Sequence, residues 1–302
     1  MNYNNLPTLD ESVLRALDFF TQKKPTRLNL KSLPFPIVVG SGNAYNTALL
    51  LFSGQKAIIA SESNFKVILK NYQELIKKGV IKEAVIISAS GEKDSIWEIK
   101  LAKKYRLRTI LMTCNENSTA AHLADKIFVY DKLPEPYTYN VSTYLGMLLS
   151  ASGEKASEIK KYIKSLKSFN FKKYQAFSFI LPDELAAISP MLEIKRDELF
   201  GPNLSLRAFS FGQARHAKFV HPTTKELVIS LGKNPYFGEL KSRWEINIPK
   251  NIGPGLAMAI TYYLIGQIQK SQPPYFQKNI AKFCLKGPLA YGQNKPFPVI
   301  VN

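Results

Sequence analysis

Ser88, Ser90 and Gly91 stand directly after the apolar run Ala84-Val-Ile-Ile87 and directly before a segment with apolar positions Ile96, Ile99, Leu101 and Ala102. That order reads as a buried strand, a hydroxyl-rich turn and a helix. Such a turn offers serine hydroxyls and backbone N–H groups at a helix N-terminus, where the dipole favours an anion. Without a ligand, Ser90 or Asp94 would simply cap the helix. A second set lies in the other half, Glu193-Ile-Lys-Arg-Asp-Glu-Leu-Phe-Gly-Pro202 followed by Phe211-Gly-Gln-Ala-Arg-His216. On a helix Lys195 and Glu198 are three residues apart and share a face. Alone, that spacing describes a surface ion pair worth a few tenths of a kcal/mol.

These residues sit in a wider pattern. Ile87-Ser-Ala-Ser-Gly-Glu92 resembles the phosphate loop of the sugar isomerase (SIS) domain family, which reads Ser-x-Ser-Gly-x-Thr. Met112-Thr-Cys-Asn-Glu-Asn-Ser-Thr-Ala-Ala-His-Leu-Ala-Asp125 is similar to the family's next signature, in which Cys-Asn is followed by a serine and then an Ala-Asp pair. Val38-Val-Gly-Ser-Gly-Asn-Ala-Tyr45 resembles its first loop, Gly-x-Gly-Thr-Ser. The three matches occur in family order and cover residues 35 to 131, roughly a third of the chain. Lys195, Glu198 and His216 resemble the Lys-x-x-Glu and following His of double-SIS isomerases. Those include the isomerase domain of glucosamine-6-phosphate synthase and the bifunctional phosphoglucose/phosphomannose isomerases, whose length the chain shares.

The resemblance implies a phosphosugar aldose–ketose isomerase working through an enediol by acid/base catalysis. Glu198 is then the base for the carbon-bound proton and His216 the ring-opening group. Lys195 or Arg215 would stabilise the enediolate. Ser88, Ser90, Gly91, Lys93, Gly42, Asn43 and Ser118 would surround the phosphate. His221 is close enough to His216 to rival it. The family also implies a homodimer with a shared active site. Two other readings stand beside this one: an amino-sugar phosphate deaminase or deglycase, and a phosphosugar-binding protein without chemistry. The family's threonine after Ser-Gly-x is Lys93 here, Ala44 replaces a hydroxyl residue in the first loop, and Ala217 replaces the glycine after the histidine.

The elements that must position these residues are legible. Strands are expected at 37–39, 57–60, 84–88, 109–113 and 127–130, separated by helices at 43–52, 64–78, 93–105 and 118–124. Short apolar strands spaced by helices imply a parallel sheet covered on both faces. Ligands bind beyond the carboxyl ends of such strands, where all three matched loops lie. A leading helix is expected at 10–20. Helices follow from Pro134 through Ser150 and at 154–167.

The second half reads as a degenerate copy. It has strands at 176–181, 204–211, 227–232 and 244–248, and helices at 184–199 and 253–270. Pro190 is a misfit that can shift the start of the first helix. The tail from Lys286 to Pro298 reads as extended. The fold class is therefore α/β, with two SIS-type αβα domains at 1–153 and 154–302.

Composition bounds the rest. The net charge of +18 falls on lysines scattered over helix faces rather than in a dense basic run, so a solvated surface is expected and nucleic acid is not. No apolar run reaches the length of a membrane span, and the N-terminus shows no secretory signal, so a cytoplasmic location and no membrane partner are expected. The cysteines Cys114 and Cys284 make no disulfide framework, and Cys114 reads as a small apolar residue. His122 reads as a helix-surface residue. No metal and no cofactor are expected.

Overall fold

Leu9, Val13, Ala16, Leu17 and Phe20 recur at helical spacing and bury one face of the leading helix, α1 (Leu9–Gln22). The described residues of the computed structural model are all but 1, 2, 4, 220, 221 and 251. They divide into two compact units.

Residues 23–132 and 143–153 form one unit. Its elements are β1 (Ile37–Gly40), α2 (Asn43–Leu51), β2 (Ile58–Ser61), α3 (Phe65–Asn71), α4 (Gln73–Lys77) and β3 (Glu83–Ile87). They continue as α5 (Asp94–Lys104), β4 (Arg108–Thr113), α6 (Thr119–Leu123) and β5 (Lys126–Val129). The five strands pair in parallel in the order β2-β1-β3-β4-β5. Strand order reverses between β1 and β3, the kind of switch point at which such sheets take ligands. Ile37, Val39, Ile86, Leu111, Phe65, Leu69 and Ile99 fill the core beneath it. The single helix expected at 64–78 is two helices, divided at Tyr72.

The other unit begins with α1 and takes in residues 133–142 and 154–302. Around Pro134 and Pro136 the chain forms a short strand, β6 (Glu135–Pro136), and helix starts only at α7 (Val141–Ser152), most of which belongs to the first unit. The helix expected from Pro134 is therefore shorter, because proline lacks the N–H and restricts its predecessor. Then come α8 (Ala156–Lys164), β7 (Ala176–Leu181), α9 (Ile188–Phe200), β8 (Ser205–Ser210), α10 (Phe211–His216), β9 (Glu226–Leu231) and β10 (Arg243–Ile246). The chain ends with α11 (Pro254–Ser271), α12 (Tyr275–Lys286) and β11 (Ile300–Val301). A parallel sheet runs β10-β9-β7-β8, and β11 pairs antiparallel with β6.

Three further features are local. Pro190 lies in the first turn of α9, where its missing N–H costs nothing, so the helix begins at Ile188. The stretch from 275 is helical because Phe276, Ile280 and Cys284 recur every four residues and are buried. The tail expected to be extended from Lys286 forms a further 3₁₀ turn at Gly287–Tyr291 before β11. The leading helix, placed with residues 1–153 by sequence, packs on α11 and α8, with Asp10 held by Lys270 at 2.6 Å. Among the described residues no helix is long and apolar enough to cross a membrane.

Candidate functional site

In the 23–132 unit the residues from Ser88 to Lys93 form a tight turn at the carboxyl end of β3. Gly91 has φ 64°, and a Cβ there would meet Ser118 Oγ at 2.0 Å, so only glycine fits. Ser118 is itself buried and accepts the Ala121 N–H at 3.2 Å as the cap of α6. It therefore supports the turn from beneath. Ser88 Oγ accepts the Gly91 N–H at 3.2 Å and Ser90 Oγ accepts that of Glu92 at 3.3 Å. In both serines the hydroxyl proton is not consumed by these bonds and remains available to an anion.

Lys93 caps α5 with φ 59° and ψ −121°. Gly42 caps α2 with φ 54° and ψ −121°. The two loops thus enter their helices through the same backbone conformation, one with glycine and one with lysine. A non-glycine residue held there stores on the order of 1–3 kcal/mol of strain. Burial lowers the Lys93 pKa, and the Asp94 charge opposes that shift.

Carboxylates stand close by. Glu92 accepts the Thr119 N–H at 2.9 Å, and Asp94 accepts from the Trp97 indole at 3.1 Å and from the Ser41 hydroxyl at 3.3 Å. One turn on, Glu98 is 1% exposed and its Oε1 has no hydrogen-bond partner. Burial first, then the charges of Asp94 and Glu62, push its pKa up to about 8. Asn43, at the start of α2, is 9% exposed and its Oδ1 likewise lacks a partner.

In the other unit α9 carries Lys195 and Glu198 on one face, as their spacing predicts. Lys195 is fully buried, donates to Glu198 Oε2 at 2.6 Å and to the Thr138 carbonyl, and lies 5.6 Å from the Tyr262 ring centre. An ammonium so enclosed holds its neighbours in place; it does not face solvent. The Glu198 side chain is 17% exposed. Burial raises its pKa, with the Lys195 charge and hydrogen bond opposing.

The segment that grips Lys195 is strained. Thr138 has φ 78° and Asn140 has φ 48°, and a β-branched residue at such a φ is a true outlier. Glu135 anchors the segment by accepting the Ser142 N–H at 2.8 Å. Burial pushes the Glu135 pKa up to about 7, against hydrogen bonds from Ser142 and Val141 and the Lys195 charge.

His216 ends α10, whose start is fixed by a capping box of Ser210 and Gln213. It lines an open cleft of about 750 Å³ with Ser189, Glu193, Phe209 and Gln213. Glu198 is not in that cleft. Glu193 and Glu198 are five residues apart on α9, about 140° around the helix, so His216 and Glu198 address different faces of it. Arg215 is exposed on α10. His221 lies outside the described residues.

Glu98, Glu135 and Thr138 are absent from the sequence-based set. Glu98 had a readable signal: Ser95, Glu98, Ile99 and Ala102 are the buried stripe of α5, so a glutamate occupies a core position. The signal for Glu135 is weaker, an acid between two prolines.

No family model and no curated protein sequence matches the chain. Solved structures do share its fold. A glucosamine-6-phosphate deaminase from Thermotoga maritima is 16% identical and superimposes with a TM-score of 0.56 over 86% of this chain and 92% of its own. The C-terminal domain of a glucosamine-fructose-6-phosphate aminotransferase from Francisella tularensis is 11% identical, with a TM-score of 0.55 over 87% and 93%. A tagatose-6-phosphate ketose/aldose isomerase from Escherichia coli is 12% identical, with a TM-score of 0.55 over 88% and 92%. The chain has the α/β fold of these proteins, parallel sheets flanked by helices, as the SIS resemblance implied.

Proposed function

We propose that this protein is a phosphosugar aldose–ketose isomerase of the glucose 6-phosphate/mannose 6-phosphate type, moving a proton between C1 and C2 through an enediol. The observation that carries the reading is Glu198: a partly exposed carboxyl with a raised pKa, fixed by a fully buried lysine. A carbon base benefits from that combination, since a raised pKa strengthens the base and the lysine fixes its position. Lys195 is then a positioning residue that biases Glu198 toward the carboxylate. The hydroxyls of Ser88 and Ser90, with Gly91, Lys93, Gly42 and Asn43, hold the phosphate at the start of α5 and α2.

His216 lies on a different face of α9 from Glu198, which supports a second copy of the chain supplying the ring-opening imidazole in a homodimer. Arg215 beside it would stabilise the enediolate. The reaction requires neither metal nor cofactor, and a cytoplasmic setting suits a phosphorylated metabolite. Proteins named for isomerase and deaminase activities share the fold. An amino-sugar phosphate deaminase or deglycase is the second reading, favoured by the carboxyl groups of Glu92, Asp94 and Glu98 around the phosphate turn.

The test is turnover of a panel of sugar phosphates by the wild type and by Glu198→Gln. The variant keeps size and polarity but loses basicity. Turnover should fall by about 10²–10⁴-fold while ligand affinity is largely retained. Near-full turnover in the variant would remove Glu198 as the base. Ammonia release would select the deaminase. Tight binding with no turnover of any panel member would make the protein a phosphosugar binder.

A further inference from the structure

We propose that Thr138 is a positioning residue for the Glu198 carboxyl group: its side-chain hydroxyl is a second donor to the Glu198 carboxylate, and the strained segment that carries it is held in place to bring it there. The inference rests on reading Glu198 as the carbon base, and it names the residue that completes the base's surroundings.

Thr138 and Glu198 meet at one ammonium. Lys195 donates to the Thr138 carbonyl and to Glu198 Oε2, so the two residues stand side by side. The segment is fixed on both sides of Thr138. Before it, Glu135 and Pro136 pair with β11, and Glu135 accepts the Ser142 N–H at 2.8 Å. After it, the Tyr139 hydroxyl donates to the Pro7 carbonyl at 2.9 Å and accepts from Gln269 at 3.2 Å. Surroundings that over-determine a segment in this way let a strained φ persist.

Glycine at φ 78° would offer the same carbonyl to Lys195 without strain. Threonine adds strain and buries a hydroxyl. The residue is 8% exposed, and its Oγ1 has no aligned hydrogen-bond partner. Buried hydroxyls are ordinarily satisfied. The acceptor beside this one is Glu198. Burial raises the Glu198 pKa, while the charge and hydrogen bond of Lys195, and then the Thr138 hydroxyl, draw it down. The hydroxyl is thus within reach of the carboxylate but not aligned on it, a contact of the kind that tightens once substrate is bound.

In the reaction proposed for Glu198 the carboxylate takes the proton from one carbon. The electron pair of that C–H bond passes into the enediolate, and the neutral carboxyl returns the proton to the neighbouring carbon. Thr138 keeps its own proton throughout. By donating to the carboxylate it favours the ionised form and, with Lys195, fixes the carboxyl plane. The other groups acting on this cluster are Asp197 on α9, the Tyr137 and Tyr139 phenols beside Thr138, and Glu135, which feels the Lys195 charge. Tyr262 of α11 faces Lys195, and Cys284 of α12 and Tyr291 act on Tyr137. Burial pushes both phenols further up, and Glu135 up to about 7. All of these remain in a Thr138 variant, so a shift between variants reports the hydroxyl.

The experiment compares the wild type, Thr138→Val and Thr138→Ser as full chains, by turnover of glucose 6-phosphate across about pH 5–9 and by Tm. Valine keeps the size and the branch at Cβ but has no hydroxyl. In Thr138→Val, kcat should fall about 10- to 100-fold with KM within about twofold of the wild type. The acid limb of kcat/KM should move up by as much as about one pH unit. Tm should stay level or rise, because an unpaired buried hydroxyl is gone. Thr138→Ser should recover most of the rate and the wild-type acid limb. A Thr138→Ser as slow as Thr138→Val would assign the loss to the methyl group and overturn the inference. A Tm of Thr138→Val far below the wild type would do the same, since the hydroxyl would then be a support of the fold. If Glu198→Gln abolishes turnover while Thr138→Val keeps the wild-type kcat and acid limb, Glu198 stands as the base and Thr138 alone is removed. If the wild type does not turn over glucose 6-phosphate, the isomerase reading fails and this inference falls with it.

Discussion

Glu98 and Glu198 are both glutamates drawn off the surface of a helix, and both have a raised pKa. They differ in what stands one turn away. Glu198 has Lys195 three residues before it, fully buried and hydrogen-bonded to it. Glu98 has Asp94 four residues before it and Glu62 nearby, with no cation among the causes of its shift. The first arrangement compensates a buried charge in advance, which suits the base proposed for Glu198. The second leaves a charge uncompensated, which is tolerable only while the carboxyl keeps its proton or a ligand supplies the cation. Depth of burial alone does not separate the two roles; the sign of the neighbour does.

The largest effect should come from breaking the compensated pair. Lys195→Met leaves Glu198 without its cation and the Thr138 carbonyl without its donor. Removing one partner of a buried pair typically costs about 3–5 kcal/mol, to be read from urea denaturation. The double variant Lys195→Met/Glu198→Leu should regain most of that loss while remaining inactive, because two packed apolar side chains carry no buried charge. A double variant no more stable than Lys195→Met would mean that Lys195 matters for shape rather than charge.

The uncompensated glutamate should declare itself through pH. Its folded pKa, about 8, lies above the ordinary value of 4.5. The folded state thus holds a proton that the unfolded state loses, and stability falls as pH rises from about 4.5 to about 8 before levelling. Glu135, pushed up to about 7, adds a smaller loss of the same sign over a narrower window. Glu98→Gln should flatten the part of the slope between pH 7 and 8, where Glu135 has already titrated. An unchanged slope there, in Tm measured across the range, would show that Glu98 ionises like an ordinary surface carboxyl.

The contrast also explains what could be read from the sequence. Strand-turn-helix order put Ser88, Ser90 and Gly91 at the end of β3, because apolar runs and a helix-period segment carry that information locally. Spacing put Lys195 and Glu198 on one face of α9. It could not show that Lys195 is enclosed, since its partner Thr138 lies 57 residues away in sequence. The apolar positions read on α5, Ile96, Ile99, Leu101 and Ala102, leave Glu98 out, yet Ile96 and Leu101 are only half-buried while Ser95, Glu98, Ile99 and Ala102 are buried. Glu135 depends on a strained segment in which Asn140 is of a type that tolerates a positive φ but Thr138 is not, so the sequence announces only half of it. In α12 the signal, Phe276, Ile280 and Cys284 at four-residue spacing, is present in the sequence.

The smallest effect should separate strain from function in the phosphate turn. Lys93 and Gly42 share one backbone conformation at the start of their helices, and only the lysine pays for it in φ. Lys93→Gly should relieve about 1–3 kcal/mol of strain, less roughly 1 kcal/mol for the greater freedom of glycine in the unfolded chain. The expected net gain is therefore up to about 2 kcal/mol, visible as a higher Tm. The same change removes an ammonium at the start of α5, so affinity for inorganic phosphate should fall even as the fold becomes more stable. Opposite signs in the two measurements would mark Lys93 as a residue kept for its ligand at the expense of its backbone. A gain in stability with no loss of phosphate affinity would show instead that the lysine does not serve the anion, leaving the hydroxyls of Ser88 and Ser90 to hold it alone.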